Sequence, residues 1–316
     1  MAERPTELVL MTRVAKRFYI DHKSKSDIAG EVGISRFRVA RLLDHARATG
    51  LVQIQIESST DVNTALSVAL QERYGLQHAV VVDASDDDQS VLRERLGQLA
   101  ADVLGEIVTS ADVLGLAWAR SLRGIGTAVT SIPAGHVVQL TGALSGPDGS
   151  DVLGLVRRVA RAGGGVPHVF YAPLVVSDAA IARTLRRQPD ISRAAEMIDQ
   201  ITVAVVGIGA WSPGLSTIYD MVEEADRVQT AELGVVAEVS GVLIDEHGEG
   251  VAAPLSRRII GVSAEELRRI PLVLAVAYGD EKADAVRAAL RGGLVQGLIT
   301  HAGLTRRLIA SDDDEP

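Results

Sequence analysis

The chain has no cysteine among its 316 residues. That excludes a disulfide scaffold, a cysteine nucleophile and a thiolate metal site, and it fits a reducing compartment. Aromatics make up only 3% of residues, so the core must be built from Ala, Val, Leu and Ile. Lysine is almost missing: Lys16, Lys23 and Lys25 lie near the N-terminus and Lys282 stands alone far from them. No apolar run reaches the roughly 18 residues that span a bilayer. The opening MAERPTE carries charges and no apolar stretch, so it does not read as a secretory signal. Together these features predict a cytoplasmic protein without a membrane partner.

Length predicts two domains at roughly 100–200 residues each. The net charge is −9, which taken alone argues against nucleic acid. The average hides an asymmetry. Residues 1–57 hold 10 Lys and Arg against 7 Asp and Glu, a net of +3, while the remainder holds 22 against 34, a net of −12. We place the boundary near 57–60, giving a DNA-binding domain over 1–57 and a larger domain over 58–316.

Residues 6–20 carry apolar residues at helical spacing. Ser24 reads as the cap of a second short helix with Ile28, Ala29 and Val32 inward, ended by Gly33. Ser35 caps a third helix over about 36–49, stopped by Gly50. A small residue at the crossing, a glycine in the turn and apolar locks on both helices form a helix-turn-helix pattern, with a helical hairpin for oligomerisation as the bland alternative. On the third helix Val39, Leu42, Leu43 and Ala46 share the inward face. Arg36, Phe37, Arg38 and Arg41 are then the candidates for base contacts, arginine toward guanine and the phenyl ring toward a thymine methyl. Ser35, Lys25, Lys16 and Lys23 suit phosphate contacts. For Phe37, packing against the first helix or a second subunit competes equally. LVQIQIE (51–57) alternates like a half-buried strand.

Beyond residue 60 the pattern changes. Helices are expected over 61–75 and 89–109. Apolar runs at 78–82, 113–117, 136–140, 168–172, 201–209, 242–244, 272–277 and 298–300 alternate with helical stretches. Strands apolar throughout, alternating with helices, predict a Rossmann-like, mainly parallel α/β sheet covered on both faces. Ligands of such sheets bind at the carboxyl ends of strands. The stretches around Gly115–Ser121, QLTGALSG (139–146), VVGIGAWSP (205–213) and LVLAVAYGDEK (272–282) are therefore expected to converge. Gly207 and Gly209 would let the backbone approach a ligand, and the helix start at Arg120 and Ser121 would favour an anion. The isolated Lys282 is expected to bind a phosphate or to form a Schiff base, with a solvated surface lysine as the alternative.

KSDIAGEVGISRFRVARLL, GLAWARSL, QLTGAL, VGIGAWSP, GVVAEVSGVLID and GVSAEELRRIPLVLAVAYGDEKADAVRAALRGGLVQGLIT occur in an order and spacing that resemble the SorC family of bacterial sugar-responsive transcriptional regulators. The resemblance implies an N-terminal helix-turn-helix, an effector domain related to sugar-phosphate isomerases and deaminases, and a dimer or tetramer. It implies double-stranded operator DNA and a phosphorylated sugar as partners, with no cofactor. Its effector residues map to Gly115, Trp118, Arg120, Ser121, Gly142, Gly207, Gly209, Ala210, Glu238, Asp280 and Lys282. Ala119 replaces a usual glycine, Tyr278-Gly279 a usual Gly-Gly, and His301-Ala302 a usual Asp-Glu.

Two other classes fit parts of the pattern. An isomerase or deaminase on the same fold would need a placed carboxylate or histidine, and Glu238, Asp280, Glu281 and His301 are available. A nucleotide switch is poorly supported, because VGIG lacks a third glycine and an acidic partner. The seven histidines are scattered, with His136 and His168 read as structural.

Overall fold

A computed structural model describes residues 5–52, 62–83, 89–129, 131–144 and 152–310. It divides into two compact units, Met1–Ser59 and Thr60–Pro316.

The first unit is three helices: α1 (Pro5–Tyr19), α2 (Lys25–Val32) and α3 (Arg36–Ala48). Ser24 and Ser35 cap α2 and α3, their hydroxyl oxygens accepting from Asp27 N and Arg38 N at 3.2 Å each. Gly33 ends α2 with φ 72°, a left-handed conformation that a side chain resists. The core is Met11, Val14, Ala15, Ile28, Val39, Leu42, Leu43 and Ala46, with Ala29, Val32 and Ile34 packed at its edge. The expected strand 51–57 falls outside the described residues beyond Val52.

The second unit opens with α4 (Thr64–Tyr74), β1 (His78–Val82), α5 (Gln89–Ile107) and β2 (Val113–Leu116). A helical turn (Arg120–Leu122), α6 (Arg123–Ala128), β3 (His136–Gln139), α7 (Val152–Gly163) and β4 (Val166–His168) follow. After these come β5 (Val203–Ala210), β6 (Ala237–Val239), β7 (Val242–Ile244), β8 (Leu272–Val276) and β9 (Gly297–His301), with short helices between. The sheet order is β1-β9-β8-β5-β2-β3-β4, parallel throughout, and β6–β7 is an antiparallel hairpin on the end of β5. Alternate residues serve opposite faces. Val138, Ala204, Val206, Val273 and Ala275 join one core, and Val137, Val205, Leu272 and Leu274 the other. That double burial is why the strands read as continuous apolar runs.

Both sheet edges are closed off. At β1, Val62 bridges Val82, Asn63 N donates to Val81 O at 2.7 Å, and Ser67 Oγ accepts from Val81 N at 3.0 Å. At the far edge, β4 is three residues long with Pro167 at its centre.

Two expectations are corrected. The run 168–172 is not a strand, because β4 ends at His168 and Phe170 N donates to the Gln139 side chain at 3.1 Å instead of to a ladder. The run 242–244 is a strand, but it belongs to the antiparallel hairpin.

Candidate functional site

In the first unit, Arg36, Phe37, Arg38 and Arg41 are all exposed on α3, opposite its buried stripe. Phe37 is 81% exposed, so its ring packs on neither neighbouring helix. The three arginines form no ion pair among the described residues. The three lysines sit in different surroundings. Lys23 is paired with Glu31, which Arg17 also meets at 3.4 Å. Lys25 lies over the Phe18 ring at 5.7 Å and is half-buried. Lys16 is exposed.

In the second unit the chain leaves β2, runs outward through β3 and β4, then returns to the other side of β2 as β5. The switch point therefore lies between β2 and β5, where a crevice opens at the carboxyl ends of the strands. An open cavity sits there. Its walls include Trp118, Arg120 and Ser121 after β2, Thr141 after β3, Gly207 and Gly209 of β5, and Tyr278 and Lys282 after β8. Glu238 of β6 completes it.

Glu238 is held by the turn that follows it. Ser240 and Gly241 both have positive φ, 47° and 97°, the geometry of a two-residue hairpin turn matched to strand twist. Gly241 N donates to Glu238 Oε2 at 2.9 Å, and Ser216 Oγ donates to Oε1 at 3.3 Å. Burial pushes the Glu238 carboxyl above the usual carboxylate range, while Gly241 N–H, Lys282, Ser216 and Arg120 pull the other way. Lys282 Nζ donates to Ile208 O at 3.2 Å and lies over the Tyr278 ring at 5.1 Å. Burial lowers the Lys282 ammonium to about 8, with Glu238 opposing the shift and Arg120 adding to it. Arg120 donates to Gly214 O at 2.8 Å and to Asp220 Oδ2 at 2.7 Å, tying the β2 exit to the segment after β5.

Seven of the expected residues thus share one cavity: Trp118, Arg120, Ser121, Gly207, Gly209, Glu238 and Lys282. Four do not line it. Gly115 is buried within β2, where a Cβ would touch Ile201 and Leu140 side chains at 3.0 Å. Gly142 lies against Pro173, whose carbonyl would be 2.5 Å from a Cβ. Ala210 packs against one of the sheet cores. Asp280 faces away, 3.4 Å from Arg307 Nε. A Cβ on Gly207 would lie 2.3 Å from Ala119 Cβ, and one on Gly209 would lie 2.5 Å from Glu238 Oε1. These glycines also make room for the protein groups that shape the cavity. The helix after β2 begins as a three-residue turn followed by only six α-helical residues, so its dipole is small.

Thr141, Leu215, Thr217 and Tyr278 line the cavity without having been singled out as site residues. Tyr278 was signalled as a departure from the family pattern. His301, another departure, is fully buried and its Nε2 accepts from Gly279 N at 3.1 Å, fixing the loop that leads to Lys282. His136 Nδ1 and His168 Nε2 lie 2.9 Å apart, and burial with the neighbouring imidazole lowers His168. Among the described residues no group of three or more His, Asp or Glu side chains could hold a metal ion.

This arrangement defines a class of protein: a three-helix unit in one chain with an α/β unit whose cavity is lined by polar and charged side chains. The family model described as "Putative sugar-binding domain" matches residues 59–310. The chain is 30% identical over 309 residues to the transcriptional regulator LsrR of Enterobacter sp. (strain 638), covering 96% of this chain and 94% of that one. It is 27% identical to the transcriptional regulator YjhU of Escherichia coli K12 over 93% of this chain and 92% of that one. Its fold matches the full-length sorbitol operon regulator SorC of Klebsiella pneumoniae, with TM-score 0.72, 21% identity, and coverage of 98% and 100%. A transcriptional regulator from Streptococcus pneumoniae TIGR4 matches with TM-score 0.71 and 28% identity over 79% of this chain and 98% of that one. The chain belongs to the SorC-type family of sugar-responsive transcriptional regulators.

Proposed function

We propose that this regulator binds double-stranded operator DNA through α3 and that a phosphorylated sugar in the β2–β5 cavity controls that binding. The observation that carries the reading is the meeting of Lys282, Arg120 and Glu238 in one cavity at the sheet's switch point. Lys282 supplies a charge for a phosphate, and Glu238 supplies an acceptor for sugar hydroxyls. Arg36, Phe37, Arg38 and Arg41 meet base edges, while Ser35, Lys25 and Lys16 meet phosphates. The protein acts in the cytoplasm as a symmetric homo-oligomer on a palindromic site and turns nothing over. No described helix is long and apolar enough to cross a membrane.

The test combines operator binding with thermal shifts across sugar phosphates at fixed protein concentration. A ligand specific to the native state raises stability by about 2.7 kcal/mol at 100 times its Kd. The expected result is a Lys282-dependent shift with release or tightening of operator DNA. Turnover of the bound sugar phosphate would favour the isomerase class instead. On the DNA side, Arg41→Ala should weaken specific binding far more than non-specific binding, and Lys25→Ala should weaken both alike.

A further inference from the structure

A second open cavity, of about 520 Å³, adjoins the first. Trp118, Ala119 and Arg120 line both. Its remaining walls bring Arg93 from α5, Arg123 from α6 and Arg158 from α7 to face Arg120, with Glu94 as the one acidic residue among the lining residues. Four guanidinium groups on one cleft run against the character of a chain with net charge −9. Arg123 and Arg158 have no ion pair or hydrogen bond among the described residues. Gly126 gives Arg158 its seat, since a Cβ there would lie 2.9 Å from Nη2.

Tyr278 of the first cavity lies beside Arg93 of the second. Its ring centroid is 5.1 Å from Lys282 Nζ and 5.9 Å from Arg93 Cζ, so these cations lie no more than 11 Å apart. Arg120 is paired with Asp220, but like charges so gathered still repel one another, and an anion between them removes the repulsion. Planar guanidinium groups match phosphate oxygens two at a time, unlike the point charge of Lys282.

We propose that the arginine cleft is a second anion subsite, and that the effector carries two anionic groups, one at Lys282 and one among Arg93, Arg123 and Arg158. The proposal rests on the effector reading above and adds the charge pattern of the ligand. A sugar carrying phosphates at both ends of its carbon chain has the required chemistry, threading past Trp118 and Arg120, which both cavities share.

The test is calorimetric titration of the full-length protein with matched mono- and bisphosphates of glucose, fructose and ribose. For at least one sugar, the bisphosphate should bind about tenfold tighter or more. That advantage should shrink as salt rises. The double variant Arg123→Ala/Arg158→Ala changes only exposed side chains and should lose the advantage while keeping monophosphate affinity. A monophosphate that binds through Lys282 with no gain from the second phosphate overturns the subsite and leaves the effector reading standing. Equal loss of both ligands in the double variant also overturns it. No binding by any of the sugars overturns both readings.

Discussion

Replacing Lys282 by methionine should make the protein more stable at neutral pH while removing its response to effector. The ammonium is lowered from 10.5 to about 8 in the folded chain. At 1.36 kcal/mol per pH unit this depression costs about 3 kcal/mol of stability wherever the group is charged in both states. Methionine keeps much of the stem and removes the charge. Against that gain stands the lost hydrogen bond to Ile208 O, about 1 kcal/mol, and the lost cation–π contact with Tyr278, about 0.5–1 kcal/mol. The net expectation is a gain of about 1–2 kcal/mol at pH 7. The pH dependence gives a sharper signature. The folded pKa lies below the unfolded one, so the unfolded chain binds more protons between them. Wild-type stability contributed by this group is therefore present above pH 10.5 and lost as pH falls through about 8. The methionine variant should lack that component. Urea unfolding of both proteins between pH 7 and 10.5 measures the difference, and the second unit holds no other lysine to confuse it. A variant less stable than wild type at pH 7, with an unchanged pH dependence, would refute the argument that this ammonium is held against its desolvation.

Sugar-phosphate affinity should fall as pH rises above about 8, approaching tenfold per unit, because the free protein loses the Lys282 proton while the phosphate stays dianionic; titration from pH 7 to 10 reads this directly. Gly207→Ala would place a methyl group 2.3 Å from Ala119 Cβ, costing about 1–3 kcal/mol and abolishing the ligand-induced thermal shift, with operator binding retained in a gel-shift assay. Asp220→Asn leaves an acceptor for Gly214 N but releases Arg120 from its carboxylate, and should tighten sugar-phosphate binding by a few-fold, since the pair is about one-third exposed on each side. Weaker binding in that variant would show that the Arg120–Asp220 pair is needed to hold the cavity in shape.

Helix caps and strand runs were legible because local chemistry decides them. Ser24, Gly33 and Ser35 each do in space what their residue types require, and the buried stripe of α3 follows from spacing alone. The isolated Lys282 was legible by rarity. What failed depended on distant partners. The run 168–172 looks like a strand, but the Phe170 N–H is taken by Gln139, 31 residues away in sequence. Gly115 and Gly142 looked like ligand glycines, yet the atoms that crowd them come from Ile201, Leu140 and Pro173. Asp280 sits two residues from Lys282 and still turns toward Arg307, because the helical turn at 280–282 separates the two side chains. The arginine cleft had no linear signature, since α5, α6 and α7 each supply one or more of its residues from separate stretches of chain.

The dressed edges of the sheet bear on how copies of this chain come together. The outward amide and carbonyl of Val81 are already taken by Ser67 and Asn63, and β4 offers an incoming strand only three residues, one lacking an N–H. Neither edge invites a neighbour to continue the ladder, which also guards against runaway stacking. Assembly of the proposed homo-oligomer would then fall to helix faces and loops. There side chains, not backbone, set the geometry, so the spacing between paired DNA-reading units would change through surface substitutions while the sheet and its cavity stay as they are.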